Sequence, residues 1–263
     1  MLTATSSDGS TVHAFDEGDG PTVLILHGGM DDGRAWRNVA GRLLSRYRVV
    51  RLSRREYRAD APSTMAQEVD DVRAVANVIG EPVLLVAHSS GGVLGLETMV
   101  AAPSLAAGAV IYEPPVRTGP LLAGDAAPRV RAAIAAGRPG RALRIFARDI
   151  GGMPPWQALL GGLYTAIRPR YRALAATQLH FEQIEELGVR LDAYAQITAP
   201  TILLGGDRSP SHIGERLDAL ERALPHAERV TLRGQGHHAF LTAPDALALI
   251  IADHAGAVLR RAA

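Results

Sequence analysis

Residues 83–92 read Val-Leu-Leu-Val-Ala-His-Ser-Ser-Gly-Gly, and this stretch decides the fold that we predict. Its first five residues are apolar without a break, which is typical of a central strand covered by helices on both faces of a sheet. Residues 93–101, which follow, have the composition of a helix. Ser89 is therefore expected in a tight turn between a buried strand and a helix.

The rest of the chain repeats this alternation of short apolar runs and longer amphipathic stretches. Such a pattern predicts the α/β class, with a mostly parallel sheet flanked by helices. The predicted strands are residues 11–16, 22–26, 48–52, 83–87, 107–112, 201–204 and 230–232, and the clearest predicted helices are residues 35–45, 64–79, 93–101 and 246–259.

The alternation is interrupted between residues 116 and 197. This interval lacks strand signals and is mostly helical by composition, with breaks at glycine and proline. An insertion between two strands can lie above a sheet without disturbing it. We therefore expect a core domain formed by residues 1–115 and 198–263, and a helical insertion formed by residues 116–197.

Composition limits the possible partners. The 263 residues carry a net charge of +1 and contain no basic block, so we expect a small-molecule substrate rather than nucleic acid or a membrane surface. The absence of cysteine excludes disulfides and thiolate sites, and all 28 basic residues are arginine, which excludes lysine chemistry. With no signal peptide or membrane-spanning run in the sequence, we expect a cytoplasmic monomer or homodimer.

The turn at Ser89 nearly matches the G-x-S-x-G nucleophile elbow, with Ala87 at the first glycine position and Gly91 at the last. Small residues at these two positions let the helix approach the strand, and alanine is still small enough. A serine at such a junction can also simply cap the next helix. The apolar strand before Ser89 and the helix after it favour the nucleophile.

A serine nucleophile requires a base, a carboxylate that orients the base, and donors for the oxyanion. His237, in Gly-Gln-Gly-His, is the expected base, with the adjacent His238 as the alternative. Asp207 follows a predicted strand after two glycines and is the expected carboxylate. Glu113 also follows a strand and is the main alternative, but the two prolines after it favour a rigid exit into the insertion.

At these positions the sequence resembles the α/β-hydrolase superfamily, over nearly the whole chain apart from the insertion. The resemblance rests on His27-Gly28-Gly29 after an early strand, the elbow at Ser89, an aspartate after a late strand and the final histidine loop. It implies that the N–H of Ser90 is one oxyanion donor and that Gly29, or the neighbouring Met30, supplies the other. It also implies that the insertion forms a lid.

Two further features concern specificity. Residues 53–58 read Ser-Arg-Arg-Glu-Tyr-Arg, where many relatives carry an aspartate followed by an R-G-x-G turn, so the local loop is expected to differ. Candidate substrate-binding residues are one histidine next to Ser89 and four side chains of the insertion. They are His88, Trp156, Tyr164, His180 and Phe181, and for the four in the insertion simple helix packing would produce the same pattern.

The expected activity is hydrolysis of a carboxylic ester, lactone or thioester of a small, partly apolar substrate. It would proceed through an acyl-enzyme and need no cofactor or metal ion. Serine at position 89 argues against haloalkane dehalogenases and epoxide hydrolases, since these use aspartate there. Carbon–carbon bond hydrolysis, cofactor-free perhydrolysis and a non-hydrolytic ligand-binding or biosynthetic role remain alternatives.

Overall fold

In the computed structural model, which describes residues 1–55, 63–176 and 182–259, eight strands form one sheet. They are β1 Leu2–Thr5, β2 Thr11–Glu17, β3 Thr22–Leu26, β4 Arg48–Ser53, β5 Val83–His88, β6 Ala106–Tyr112, β7 Thr201–Gly206 and β8 Ala227–Leu232. Their spatial order is β1-β2-β4-β3-β5-β6-β7-β8. Strand β2 pairs antiparallel with β1 and with β4, whereas all other pairs are parallel. The predicted mostly parallel sheet is confirmed.

Helices flank the sheet and fill the interval between β6 and β7. Those of the core are α1 Arg37–Leu43, α2 Met65–Ile79, α3 Ser90–Ala101, α10 Ser211–Ala223, α11 Ala239–Thr242 and α12 Pro244–Val258. Those of the interval are α4 Ala126–Ala135, α5 Pro139–Ile145, α6 Pro155–Ile167, α7 Pro169–Ala176, α8 Glu182–Leu187 and α9 Leu191–Tyr194, with a π-helical turn at Phe146–Ile150. No helix in the described ranges has both the length and the apolarity needed to cross a bilayer.

Strand β5 is buried at every position and lies between β3 and β6. Because successive side chains of a strand point to opposite faces, β5 contributes to two apolar clusters. Leu85 and Ala87 pack in the cluster beneath α2 and α3, and Leu84 and Val86 pack with Trp36 in the cluster beneath α1 and α12. The strand that ends at the elbow is thus fixed from both sides.

The parallel strands bring the expected site residues to one edge of the sheet. The carboxyl ends of β3, β5, β6 and β7 point the same way, and ligands of open α/β sheets bind at this edge. The segments directly after these four ends contain residues 27–30, 89–90, 113 and 207. The topology therefore gathers residues that are far apart in sequence.

The differences from the predicted elements have simple causes. Strand β1 was not predicted because it has four residues, of which only Leu2 and Ala4 are buried. Strand β8 begins at Ala227, three residues earlier than predicted, because its exposed polar positions weaken the apolar signal. Helix α3 begins at Ser90, directly after the elbow, so no residues separate the turn from the helix.

Candidate active site

Ser89 sits in a strained turn between β5 and α3. Its backbone has φ 54° and ψ −127°, a combination that side-chain-bearing residues rarely adopt. The surrounding glycines allow close approach: a Cβ on Gly28 would lie 2.7 Å from Ser89 Cβ, and one on Gly91 would collide with the carbonyl oxygens of Leu26 and His27. The geometry is that of a nucleophile elbow, which presents its side chain at the edge of the sheet.

Strain of this kind is confined to one place in the described chain. The non-glycine residues with positive φ there are Met30 (59°), Ser89 (54°) and Glu113 (46°). They follow the carboxyl ends of β3, β5 and β6, which are neighbours in the sheet. Since strained residues persist where the surrounding structure enforces them and cluster at functional sites, this edge is the candidate active site.

A buried carboxylate holds the candidate base. Glu113 Oε2 lies 2.6 Å from His237 Nδ1, while Glu113 Oε1 accepts hydrogen bonds from Gly206 N–H at 2.8 Å and from Ser209 Oγ at 2.6 Å. Burial raises the pKa of Glu113, but the hydrogen bonds from His237, Ser209 and Gly206 outweigh it, and the pKa lies below its usual value. The ionised carboxylate accepts the Nδ1–H of His237, which leaves Nε2 as the proton acceptor.

The expected contact between Asp207 and His237 is absent from this arrangement, and Glu113 takes its place. Asp207 is exposed, and its Oδ1 accepts the N–H of Gly234 at 2.7 Å, so it holds the loop that leads to His237. Glu113 reaches the ring because its positive φ turns the chain sharply at the end of β6. Pro114 and Pro115 follow that turn, and they do not direct Glu113 away from the site. His237, rather than His238, makes the carboxylate contact.

Two side chains fix the backbone of the His237 loop. The Nε2–H of His88 donates to the carbonyl oxygen of His237 at 2.9 Å, and the two rings lie 4.5 Å apart between centroids. The Tyr112 hydroxyl donates to the carbonyl oxygen of Gly236 and accepts the N–H of Ala239 at 3.2 Å. Burial lowers the pKa of His88 well below its usual value, so its ring is neutral. His88 precedes Ser89 directly and thus links the elbow to the candidate base.

The expected oxyanion donors lie on both sides of the elbow. Ser90 is the first residue of α3, where the backbone N–H has no partner within the helix. Gly29 and Met30 form the turn after β3, and the contact of Gly28 with Ser89 places that turn against the elbow. Their role as donors stays a prediction.

Arg54 is a buried residue of the site that the sequence did not reveal. Its side chain is 1% exposed, and Nε donates to Glu68 Oε2 at 2.8 Å. One terminal nitrogen donates to Ser90 Oγ at 2.9 Å and to the carbonyl oxygen of His27 at 3.0 Å. Arg54 therefore ties together the two segments that flank the elbow. The departure of residues 53–58 from the common pattern was the only signal.

The remaining candidates for substrate binding are distributed differently. His88 lies inside the site, as described above. Trp156 and Tyr164 lie on α6 with 63% and 46% of their surface exposed, so neither is enclosed in a pocket. His180 and Phe181 lie outside the described residues.

The sequence matches a known family over most of its length. The model of the family described as "Alpha/beta hydrolase family" matches residues 23–248. A segment of the chain is 39% identical, over 98 residues, to the probable oxidoreductase EphD of Mycobacterium tuberculosis. That match covers 34% of this chain and only 17% of EphD.

Solved structures with the same architecture cover nearly the whole chain. An alpha/beta hydrolase from Sphaerobacter thermophilus superposes with a TM-score of 0.84 at 27% identity, over 96% of this chain and 99% of its own. A thermophilic esterase from Thermogutta terrifontis, with malate bound, superposes with a TM-score of 0.76 at 19% identity, over 98% of both chains. At 19% identity, the similarity to the esterase is evidence for the fold alone. The family match and the two superpositions together confirm the predicted fold class.

Proposed function

We propose that this chain, which belongs to the alpha/beta hydrolase family, is a serine hydrolase that cleaves a carboxylic ester, lactone or thioester. The observation that carries the proposal is the hydrogen bond between the buried carboxylate of Glu113 and His237, beside a serine in a strained elbow. A buried carboxylate against Nδ1 gives the histidine the tautomer that a general base needs. The proposed triad is Ser89, His237 and Glu113.

The first half of the reaction forms an acyl-enzyme. His237 Nε2 takes the proton of Ser89 as Oγ attacks the carbonyl carbon, and Glu113 stabilises the imidazolium that forms. The N–H groups of Ser90 and of Gly29 or Met30 stabilise the negative charge on the carbonyl oxygen. Collapse of the tetrahedral intermediate breaks the bond to the alcohol or thiol, which receives its proton from His237.

The second half releases the acid. His237 Nε2 takes a proton from water, the resulting hydroxide attacks the acyl carbon, and the bond to Ser89 Oγ breaks as the proton returns to it. Glu113 stays ionised throughout, because its pKa lies below the usual value for a carboxyl group. In this scheme His237 accepts or donates the proton in every proton transfer.

We further propose that residues 116–197 act as a lid over this edge of the sheet. The supporting contact is an ion pair between Arg170 of α7 and Asp32, whose Nη2 and Oδ1 atoms lie 2.6 Å apart. Asp32 follows Met30 by two residues, in the segment between β3 and α1 that carries the expected oxyanion donor. The insertion thus contacts a loop of the site itself.

Hydrolysis of p-nitrophenyl esters of increasing acyl length, with fluorophosphonate labelling in parallel, tests the proposal. We expect the wild type to turn over short esters and to be labelled, and Ser89→Ala to lose roughly 10⁴-fold or more in kcat and all labelling. Ser45→Ala, at an exposed serine, is the matched control. A folded wild type with neither activity nor label would contradict the hydrolase, and a persisting label in Ser89→Ala would contradict the nucleophile.

A further inference from the structure

Helix α6 exposes one continuous apolar face. Its members recur at intervals of three and four residues, which places them on one side of a helix. Their exposed fractions run from 43% to 73%. They are Trp156, Leu159, Leu160, Leu163, Tyr164 and Ile167.

The opposite side of α6 is already occupied by a neighbouring helix. Ala158, Gly162 and Thr165 are buried, and Gly162 approaches Gly140 of α5 so closely that a Cβ on either would collide with the other's backbone. Apart from the ring contact of Tyr164 with Tyr171 of α7, the exposed face is therefore left uncovered by the described part of the insertion. Single exposed apolar residues are ordinary, but a contiguous set of six marks an interaction surface.

The segment that carries this face is rich in arginine. Residues 137–176 contain seven arginines and one aspartate, a net charge of +6, whereas the whole chain carries +1. The one aspartate, Asp149, is paired with Arg148 and Arg129. The expectation of no membrane partner rested on the near-neutral total, and that total conceals a basic segment.

Two of these arginines lie at the edge of the apolar face. The Arg168 guanidinium lies 5.4 Å from the centroid of the Tyr164 ring, and that of Arg170 lies 5.6 Å from the centroid of the Tyr171 ring. The two tyrosine rings are themselves 5.1 Å apart, so Tyr171 continues the face beyond α6. An apolar surface bordered by cations is the arrangement of helices that lie in the interface of anionic membranes.

We propose that the α6 face docks on the surface of an anionic phospholipid bilayer. Such a surface accepts the apolar side chains between its headgroups and attracts the arginines at the edge of the face. A second copy of the chain would cover the apolar side chains but bring the arginine-bearing edges of two faces together. Through the contact of Arg170 with Asp32, the docked face would adjoin the edge of the sheet that carries Ser89.

Tryptophan fluorescence provides a local reporter of docking. The chain contains two tryptophans, of which Trp36 is fully buried and Trp156 is 63% exposed. Adding phosphatidylcholine vesicles that contain phosphatidylglycerol should shift the emission to the blue and bring the protein down in co-sedimentation. Vesicles of phosphatidylcholine alone, or added salt, should weaken both effects. Trp156→Phe should lose the spectral shift.

The decisive variant is Leu160→Asp with Leu163→Asp, in the centre of the face. We expect it to bind phosphatidylglycerol vesicles at least about tenfold more weakly, since it removes buried apolar area and adds negative charge. The matched control is Leu249→Asp, at a leucine of α12 that is 63% exposed, and its binding should equal that of the wild type. Unchanged melting temperatures establish that all variants fold.

Several outcomes would overturn docking. One is a wild type that does not bind phosphatidylglycerol vesicles, and another is equal binding by the double variant. A wild-type dimer in light scattering that the double variant disperses, without vesicle binding, would assign the face to a second copy. If the wild type does not bind vesicles and the double variant no longer hydrolyses a soluble short ester, the α6 face would instead belong to the path by which substrate reaches the site. Since the readout is lipid binding, its failure leaves the hydrolase proposal intact.

Discussion

Glu113 and His237 are 124 positions apart in the chain, and their side chains form a hydrogen bond of 2.6 Å. The carboxylate comes from the end of β6, while Asp207 at the end of β7 bonds to the backbone of Gly234. Neighbouring parallel strands deliver their loops to the same edge, so a carboxylate from either strand can face one histidine. In this fold the carboxylate that contacts His237 comes from the end of β6, where the backbone of Glu113 has a positive φ.

A first prediction concerns the contribution of the buried ion pair between Glu68 and Arg54 to stability. Glu68→Gln removes the charge that faces Arg54, and both side chains are 1% exposed. Breaking a buried pair by removing one partner costs about 3–5 kcal/mol, because the remaining charge is left uncompensated. Urea unfolding should show this loss. Asp218→Asn, which breaks the more exposed pair with Arg229, should cost at most about 1 kcal/mol, and equal losses would contradict the prediction.

A second prediction concerns the close contact of Gly91 with the backbone at the end of β3 and its effect on stability. A methyl group on Gly91 would collide with the backbone of Leu26 and His27, so Gly91→Ala should destabilise the fold by about 1–3 kcal/mol or more. Gly214→Ala in α10 meets nothing within 4 Å and should stabilise it by up to about 1 kcal/mol through helix propensity. The same sign for both variants in thermal unfolding would refute the packing described for the elbow.

A third prediction concerns the pH dependence of stability, which follows from the burial of two histidines. Burial lowers the pKa of His27 and of His88, so the folded chain protonates both rings only at a lower pH than the unfolded chain, which takes up these protons below about pH 6.5. The unfolded state then binds more protons, and the free energy of unfolding should fall as the pH drops. Each group contributes up to about 1.4 kcal/mol per pH unit.

Urea titrations between about pH 8 and pH 5 measure this slope. His88→Gln should flatten it by about one proton, whatever its effect on stability at pH 8. A wild-type stability that stays constant or rises on acidification would show that these rings are not held neutral by burial.

The sequence predicted the parts of this molecule that are set by local pattern. The apolar run before Ser89 favours a buried strand, and the glycines after it allow a tight turn. The strand, the turn and the helix could therefore be predicted from these residues alone. The Gly-His pair at residues 236–237 likewise singled out His237, the histidine that contacts the Glu113 carboxylate. These features do not depend on which other residues lie nearby in space.

The choice between Glu113 and Asp207 could not be made in this way. Both directly follow strands, and the deciding facts are the positive φ of Glu113 and its burial, which arise from tertiary packing. The two prolines after Glu113 misled the interpretation, since they restrict the chain after the turn and not the side chain before it. The buried position of Arg54 was equally hidden, because its partners Glu68, Ser90 and His27 are distant in sequence.

The role of the insertion was the least predictable part. Its aromatic residues suggested a substrate pocket, yet Trp156 and Tyr164 lie on an exposed face of α6. An amphipathic helix that covers a core and one that presents an apolar face outward have the same periodicity. Only the packing of α5 against the opposite side of α6 distinguishes the two.

The rate of fluorophosphonate labelling at Ser89, followed by mass spectrometry in Glu113→Gln and Asp207→Asn side by side, tests the proposed triad most directly and needs no knowledge of the substrate. Glu113→Gln removes the carboxylate from His237 Nδ1 and should slow labelling by roughly 10³–10⁴-fold. Asp207→Asn changes an exposed side chain and should leave the rate within about threefold of the wild type. Slow labelling in Asp207→Asn, with a near-normal rate in Glu113→Gln, would contradict the triad Ser89–His237–Glu113.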